Sequence, residues 1–225
     1  MKTAAAALAV IALLLSSCKT VSNEDLLKFE TAPLFGMIYD MDNKPCAGIS
    51  LTLDGSGRST SDIDGRFVLM ALKPGPHTLA ASGPEYETVE LKFDFRSQTQ
   101  VLYLKMVSFD QLLAQAQNAL DQKKWPDAKS LLERAAAIHQ ANPVLVYLRA
   151  ILDYQQGDAA AAAGRLESLT AGGTTIPYVY LFLADLYQYS LDKPQAAKKA
   201  LAEYLKQTDD PEVRKRLDAL AASAK

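Results

Sequence analysis

Alanines that recur at a fixed interval are the feature that most constrains the fold of this chain. One series is Ala116, Ala150 and Ala184, and a second is Ala128, Ala162 and Ala196. A fixed period of about 20 to 50 residues is typical of proteins in which similar units stack along one axis. The residues after position 106 are also rich in Ala, Leu, Gln and Lys at helical spacing. The pattern therefore predicts stacked helical units over residues 107–225.

The third unit resembles a tetratricopeptide repeat, a family whose period of about 34 residues equals the interval between the alanines. The matching positions are Leu183, Ala184, Tyr187 and Ala196, and "LDKPQAAKKA" matches the turn into the family's second helix. In the first two units "KKWPDAKSLLERA" and "QQGDAAAAAGRL" occupy the corresponding place. The resemblance implies an α-helical solenoid of three helix pairs plus a capping helix from about Pro211. The charged residues of that helix are expected to face water, and they are Arg214, Lys215, Arg216 and Asp218.

The first two units depart from the family pattern. Gln115 and Arg149 stand where the family has Leu, and Asp153 stands where it has Tyr. The segment "AGGTT" at residues 171–175 also makes the second connection between units irregular. We therefore expect these two units to be atypical.

Residues 34–106 alternate with a period of two instead. The segment "TVELKFDF" places Val89, Leu91, Phe93 and Phe95 on one face, and "ISLTLD" repeats the alternation. This is the pattern of half-buried antiparallel strands. Clusters that favour turns, such as "DMDNKP", "SDIDG" and "KPGP", separate the strands at intervals of about 8 to 12 residues. The region is predicted to be a small antiparallel β-sandwich of about seven strands.

The same region resembles the carboxypeptidase regulatory-like domain, a transthyretin-like sandwich. The resemblance rests on "GMIYDMDNKPCAGISLTLDG", "STSDIDGRFVLMAL" and "KPGPHTLAASGPEYETVEL", although PEGA-type modules share the Pro-Gly turn. It implies a non-catalytic unit of an exported bacterial protein. Asp62 and Asp64 could also open a calcium loop, but Lys73 stands at the twelfth position, where such a loop needs Glu. A turn with Gly65 at positive φ is therefore favoured over a calcium site.

The amino-terminal residues 1–17 have the pattern of a secretory signal. Lys2 is the only charge before Cys18, and an uninterrupted apolar run extends from Ala4 to Leu15. A helix that spans a bilayer needs about 20 such residues, whereas a signal sequence needs about 7 to 15. The segment is therefore predicted to be a processing signal outside the fold.

The apolar run ends in "LSSC", which resembles the lipobox of bacterial lipoproteins. The resemblance implies that Cys18 carries lipid, such as palmitate, and that residues 18–33 are a lipid-anchored tether. It implies a location in the bacterial cell envelope, and it favours the outer membrane or a periplasm-facing leaflet over the cell surface. The alternatives are a plain signal peptide with an accidental cysteine and a buried apolar helix. With Cys18 attached to lipid, Cys46 is left unpaired and no disulfide is expected.

The sequence lacks the motifs that would indicate catalysis, a metal or a cofactor. His77 and His139 lie outside zinc-binding spacings, and no nucleotide-binding or hydrolase motif occurs. Cys46 has no nearby histidine to activate it. The 24 Lys and Arg residues nearly balance the 26 Asp and Glu residues and form no basic stripe. We therefore expect no enzyme activity, cofactor or small-molecule substrate, and no nucleic acid partner.

Tyrosines of the helical region indicate a binding surface. The repeat frame places the second, fifth, ninth, twelfth and thirteenth residues of each first helix in one groove. The candidate residues are Leu113, Gln117, Tyr147, Ile151, Tyr154, Tyr178, Asp185, Gln188 and Tyr189. An aromatic, weakly acidic groove suits an extended peptide or a partner helix. The alternative is that several of the tyrosines pack between repeats or against the β region.

Together these patterns predict a non-catalytic, membrane-anchored lipoprotein that acts as a protein–protein interaction adaptor. Its expected partners are an envelope protein or peptide in the helical groove, and the membrane through lipid on Cys18. The alternative is a glycan- or peptidoglycan-binding module that uses the β-sandwich. That function would require an exposed aromatic platform, and the tyrosines of the β region are only Tyr39, Tyr86 and Tyr103, with no Trp.

Overall fold

The structure, a computed structural model, describes residues 29–172 and 176–222. The predicted signal segment, Cys18 and most of the predicted tether lie outside the described residues, as do residues 173–175. The chain forms two compact units. A β unit comprises Thr88–Lys105 and the described residues up to Ser82, and a helical unit comprises Gly83–Glu87 and the described residues from Met106 onward. None of the described helices is both long and apolar enough to cross a bilayer.

Seven strands in two sheets confirm the predicted strand number and fold class. They are β1 (Ala32–Tyr39), β2 (Ser50–Leu53), β3 (Gly57–Thr60), β4 (Arg66–Leu72), β5 (Gly75–Gly83), β6 (Tyr86–Phe95) and β7 (Val101–Lys105). The sheets have the orders β4-β1-β7 and β3-β2-β5-β6. One pair differs from the antiparallel expectation, because β1 runs parallel to β7. This is possible because β2 to β6 all lie between these two strands in sequence, so no hairpin joins them.

Alternation along the strands buries one face of each sheet. Leu34 and Ile38 of β1 are fully buried, whereas Phe35 between them is exposed. Leu51 of β2 and Leu79 of β5 contribute to the core from the other sheet. The predicted apolar face of β6 is only half-buried until Phe95, because an edge strand has a neighbour on one side only.

The turn between β3 and β4 has the form predicted from "SDIDG". The Asp62 carboxylate accepts hydrogen bonds from the amide of Asp64 at 2.9 Å and the amide of Arg66 at 2.8 Å. Gly65 has a φ of 74°, a left-handed conformation that side chains disfavour. Asp62 therefore shapes this turn through hydrogen bonds to the backbone.

The described part of the helical unit contains the seven predicted helices. They are α1 (Phe109–Asp121), α2 (Trp125–His139), α3 (Pro143–Gln155), α4 (Ala159–Ala171), α5 (Pro177–Asp185), α6 (Pro194–Gln207) and α7 (Pro211–Ala222). A π-helical turn, Leu186–Ser190, continues α5. The alanines of the first series, Ala116, Ala150 and Ala184, are all fully buried. The unit is a tetratricopeptide-type solenoid of three helix pairs and a capping helix.

The third helix pair carries one extra residue, which corrects the predicted alignment. The turn within each pair contains a residue at positive φ, and these residues are Lys123, Gly157 and Asp192. The second interval in this series is longer than the first by a single position. The π-helical turn accommodates the insertion, because the Leu191 amide donates to the Leu186 carbonyl five residues back, at 2.9 Å. Ala197, and not Ala196, is consequently the fully buried counterpart of Ala162.

In the second unit, the polar residues at the atypical positions form an ion pair and a hydrogen bond with neighbouring helices. Asp153 pairs with Arg165 of α4, with a distance of 2.5 Å between Oδ2 and Nε. The Arg149 guanidinium donates to the carbonyl of Leu132 in α2 at 3.5 Å. These contacts link three consecutive helices where the family has apolar packing.

Candidate functional site

An aromatic cavity of about 260 Å³ lies between α3 and α5. Its lining residues are Tyr147, Ile151, Tyr154, Tyr178, Leu181, Phe182 and Asp185. Five of them are candidates from the sequence, and they come from the second and third helix pairs. The structure therefore brings these candidates together on one surface, which we call the aromatic groove.

Phe182 organises the aromatic groove, although the repeat frame did not select it. Its ring lies edge-on to Tyr147 with 6.0 Å between ring centroids, and edge-on to Tyr154 with 5.6 Å between centroids. Edge-to-face pairs of this kind are favourable and orient each ring. The frame missed Phe182 because it stands at the sixth place of its helix, outside the five places taken as groove-lining.

The tyrosines of the groove differ in exposure. Tyr154 is 44% exposed and Tyr178 is 65% exposed, so both rings are available to a partner. Tyr147 is partly buried, and burial raises the pKa of its hydroxyl, with the charge of Asp185 acting in the same direction. Tyr147 is therefore a neutral hydrogen-bonding group at the base of the surface.

Arg216 of the capping helix completes one end of the groove and corrects the expectation that it faces water. Its side chain is only 21% exposed. It donates from Nη1 to Asp185 Oδ1 at 2.6 Å and from Nε to Gln188 Oε1 at 2.8 Å. The guanidinium carbon also lies 5.1 Å from the ring centroid of Tyr189, a cation–π distance. A charged residue within an amphipathic helix gives no sequence signal that distinguishes this role from solvation.

These contacts change the expected electrostatics of the groove. Among the described residues, Asp185 is the single acidic residue that lines the cavity, and its carboxylate is paired with Arg216. Gln188 is also engaged by Arg216, and Tyr189 is exposed beside the guanidinium. The groove is therefore aromatic and close to neutral, in contrast to the weakly acidic surface expected from the sequence.

The candidates from the first helix pair lie elsewhere. Leu113 belongs to the hydrophobic core that joins α1, α2 and α3, and it is almost fully buried. Gln117 is exposed and does not line the cavity. The fifth place of the first unit is therefore part of the packed core, and this position stabilises the solenoid.

Two other tyrosines pack between the repeats, which is the alternative that the sequence left open for some of them. Tyr187 and Tyr204 are both buried in the core of the third helix pair. The Tyr187 hydroxyl donates to Glu167 Oε1 at 2.5 Å, and the Tyr204 hydroxyl donates to Asp210 Oδ2 at 3.2 Å. Burial and the contact with Glu167 raise the pKa of Tyr187 above its ordinary 10.0. These two rings are structural.

Within residues 29–172 and 176–222, no group of three or more His, Cys, Asp or Glu side chains could hold a metal ion. His77 instead lies between two oxygen atoms of the β unit. Its Nδ1 is 2.6 Å from Asp54 Oδ2, and its Nε2 is 2.8 Å from the Lys73 carbonyl. Both ring nitrogens can donate at once only in the imidazolium form.

The contacts of His77 predict a pH-dependent stability. Burial alone would lower the pKa of His77, but its bonds to Lys73 and Asp54, and the charge of Asp94, raise it above the ordinary 6.5. The contribution of these His77 contacts to the free energy of unfolding is fully present below pH 6.5, and it is lost as the pH rises through the raised folded-state pKa. The Asp54 pKa is lowered, first by its bond from the Thr78 amide and then by His77, so Asp54 stays ionised over this range.

We expect the urea concentration at the midpoint of unfolding, followed by far-UV circular dichroism, to decrease as the pH is raised from about 5.5 to about 8.5. The His77→Gln variant should lose most of that dependence, because Gln does not gain a proton over this pH range. An identical pH dependence in the variant would contradict the assignment.

Comparison with known proteins gives structural likeness alone. No protein-family model matches the chain, and no curated protein matches it. One similar solved structure is the first TPR of Spaghetti (RPAP3) bound to the HSP90 peptide SRMEEVD, at 19% identity over 52% of this chain and 94% of that chain, with a TM-score of 0.46. Another is the Sgt2 TPR domain from Aspergillus fumigatus, at 19% identity over 52% of this chain and 78% of that chain, also with a TM-score of 0.46.

A third is a thermophilic TPR protein of Thermus thermophilus, at 22% identity over 51% of this chain and 60% of that chain, with a TM-score of 0.39. The matches span about half of this chain. At these identities and TM-scores they carry no argument about function.

Proposed function

We propose that the protein is a non-catalytic, membrane-anchored adaptor that binds an envelope protein or peptide in the aromatic groove. The observation that carries the proposal is the exposure of Tyr154 and Tyr178 beside a preformed aromatic cavity. Tyrosine offers a large contact area and loses little conformational entropy on binding, so exposed tyrosines around a pocket are typical binding anchors.

The charge of the groove narrows the class of partner. The carboxylate of Asp185 is neutralised by Arg216, and none of the described residues that line the cavity is a lysine. A ligand that presents a charged terminus would therefore gain little from this surface. A segment with aliphatic or aromatic side chains, either an extended peptide or one face of a helix, would gain from burial against Ile151 and Leu181.

The remaining parts of the proposal rest on the sequence. The lipobox-like segment supports a lipid anchor at Cys18, and the carboxypeptidase regulatory-like resemblance supports a non-catalytic role for the β unit. The anchor would hold the groove at an envelope membrane, where it would meet partners that are confined to the same compartment.

Photo-crosslinking in cells tests the groove. A photoreactive phenylalanine in place of Tyr178 should yield a discrete adduct, identified by mass spectrometry, whereas the same residue in place of the exposed Glu90 of β6 should not. The Tyr154→Ala/Tyr178→Ala variant should then bind that purified partner about 100-fold more weakly, because each anchor ring contributes roughly 1 to 2 kcal/mol. Tyr103→Ala is the matched control and should bind as the unmodified chain does. Undiminished binding by the double variant would rule out the groove.

A further inference from the structure

The outward face of the β4-β1-β7 sheet is apolar although it is exposed. Alternation along the three strands assigns ten residues to this face, which we call the outer sheet face. They are Pro33, Phe35, Met37 and Tyr39 of β1, Arg66, Val68 and Met70 of β4, and Val101, Tyr103 and Lys105 of β7. Each of these residues is exposed or partly exposed, whereas the residues between them in each strand are buried.

The strand register makes the apolar residues contiguous. Phe35 lies opposite Val68 on one side and Val101 on the other, and Met37 lies beside Tyr103. Met70 is 74% exposed and Tyr103 is 66% exposed. An open cavity of about 610 Å³ lies on the same face. A contiguous exposed apolar patch of this kind marks an interaction surface.

The charges of the outer sheet face have one sign. Its two charged positions, Arg66 and Lys105, are basic, and none of the ten positions is Asp or Glu. Asp64 approaches Arg66 at 3.4 Å, but both side chains are more than half exposed, so the pair is weak. Asp62 lines the cavity at its rim. An apolar face with basic residues beside it is complementary to the surface of an anionic membrane.

The short stretch of chain between the lipid attachment site and β1 supports a membrane as the partner of the outer sheet face. Cys18 lies fourteen positions before Ala32, at the start of β1. A chain of that length spans at most about 50 Å when fully extended. A lipid on Cys18 would therefore keep the outer sheet face close to the bilayer at a high effective concentration.

A glycan is less well matched to this face. Sugar recognition needs convergent hydrogen-bonding groups, and the Tyr39 hydroxyl already donates to Met37 Sδ at 3.3 Å. We propose that the outer sheet face seats the β unit on an anionic membrane surface. This inference rests on the lipid anchor of the proposed function but not on the aromatic groove.

Depth-dependent quenching tests the seating in the full lipid-bearing chain. A Tyr103→Cys variant is labelled with an environment-sensitive fluorophore and reconstituted into phosphatidylethanolamine and phosphatidylglycerol vesicles that contain brominated lipid. Labelling is selective because Cys46 is buried and Cys18 is blocked by lipid. Glu90→Cys on the exposed side of β6 is the matched control. We expect the probe at position 103 to be quenched at least threefold more than the probe at position 90, with a blue-shifted emission.

The outcomes separate this proposal from the others. A chain that floats with the vesicles but shows equal quenching at both positions overturns the membrane seating alone. A chain that does not float overturns both the anchor and the seating, while binding to the aromatic groove is measured independently. Sedimentation with purified cell wall that is lost in Tyr103→Ala would assign the outer sheet face to a glycan and would overturn the membrane proposal.

Discussion

Replacing Cys18 with alanine is expected to move the protein almost completely out of the membrane fraction. The thiol is the predicted attachment point for lipid, and each buried methylene of an acyl chain contributes about 0.8 kcal/mol to membrane binding. The apolar run from Ala4 to Leu15 is shorter than the roughly 20 residues that a spanning helix requires. Cell fractionation, together with the intact mass of the purified protein, measures both the location and the lipid.

The second cysteine provides the matched control. Cys46 is buried in the β unit, and its thiol donates to the Lys44 carbonyl at 3.8 Å. A Cys46→Ala variant should keep the lipid mass and the membrane location of the unmodified chain. If Cys18→Ala stays in the membrane fraction, the lipid on Cys18 is not what holds the protein there, and the proposed anchor is wrong.

Replacing Gly65 with alanine is expected to destabilise the β unit by about 4 kcal/mol, the sum of a conformational cost and lost backbone contacts. Gly65 has a φ of 74°, which costs a residue with a side chain roughly 1 to 2 kcal/mol. A Cβ at this position would also lie 2.4 Å from the Ile38 carbonyl oxygen. That oxygen accepts a hydrogen bond from Cys46, and the Ile38 amide donates to the Gly65 carbonyl, so relief of the clash would break backbone contacts worth roughly 1 kcal/mol each.

Gly48→Ala separates the clash from the conformational cost. Gly48 has a φ of 70°, but no atom lies within 4 Å of the position of an added Cβ. This variant should lose only about 1 to 2 kcal/mol. Hydrogen exchange of the amides in β1 and β4 reports the stability of the β unit. Equal destabilisation by the two substitutions would contradict the role of the close approach.

The solenoid could be predicted from the sequence because its packing repeats. Every helix pair needs a small residue where its helices cross, and this requirement leaves alanine at a fixed period in the chain. The insertion in the third pair could not be predicted in this way. The π-helical turn takes up the extra residue within a continuous helix, so the sequence shows no gap or glycine that would mark a change of register.

The candidate site, like the solenoid, could be predicted from the sequence only in part. The repeat frame placed Tyr147, Tyr154 and Tyr178 on one surface, because residues at equivalent places of stacked helices face the same side. It could not identify Phe182 or Arg216. Their roles depend on which rings and carboxylates the neighbouring helices bring within reach, and this is a property of the packed array.

The sequence by itself determined the two periodicities, and with them a β-sandwich followed by a helical solenoid. It also supplied the lipobox-like segment, which is a local chemical signal that does not depend on the fold. Only the tertiary structure decided that the groove is neutral, that Leu113 is a core residue and that one sheet presents an apolar outer face. Charge pairing and burial arise from contacts between residues distant in sequence, and periodicity specifies which way a side chain points but not what it meets there.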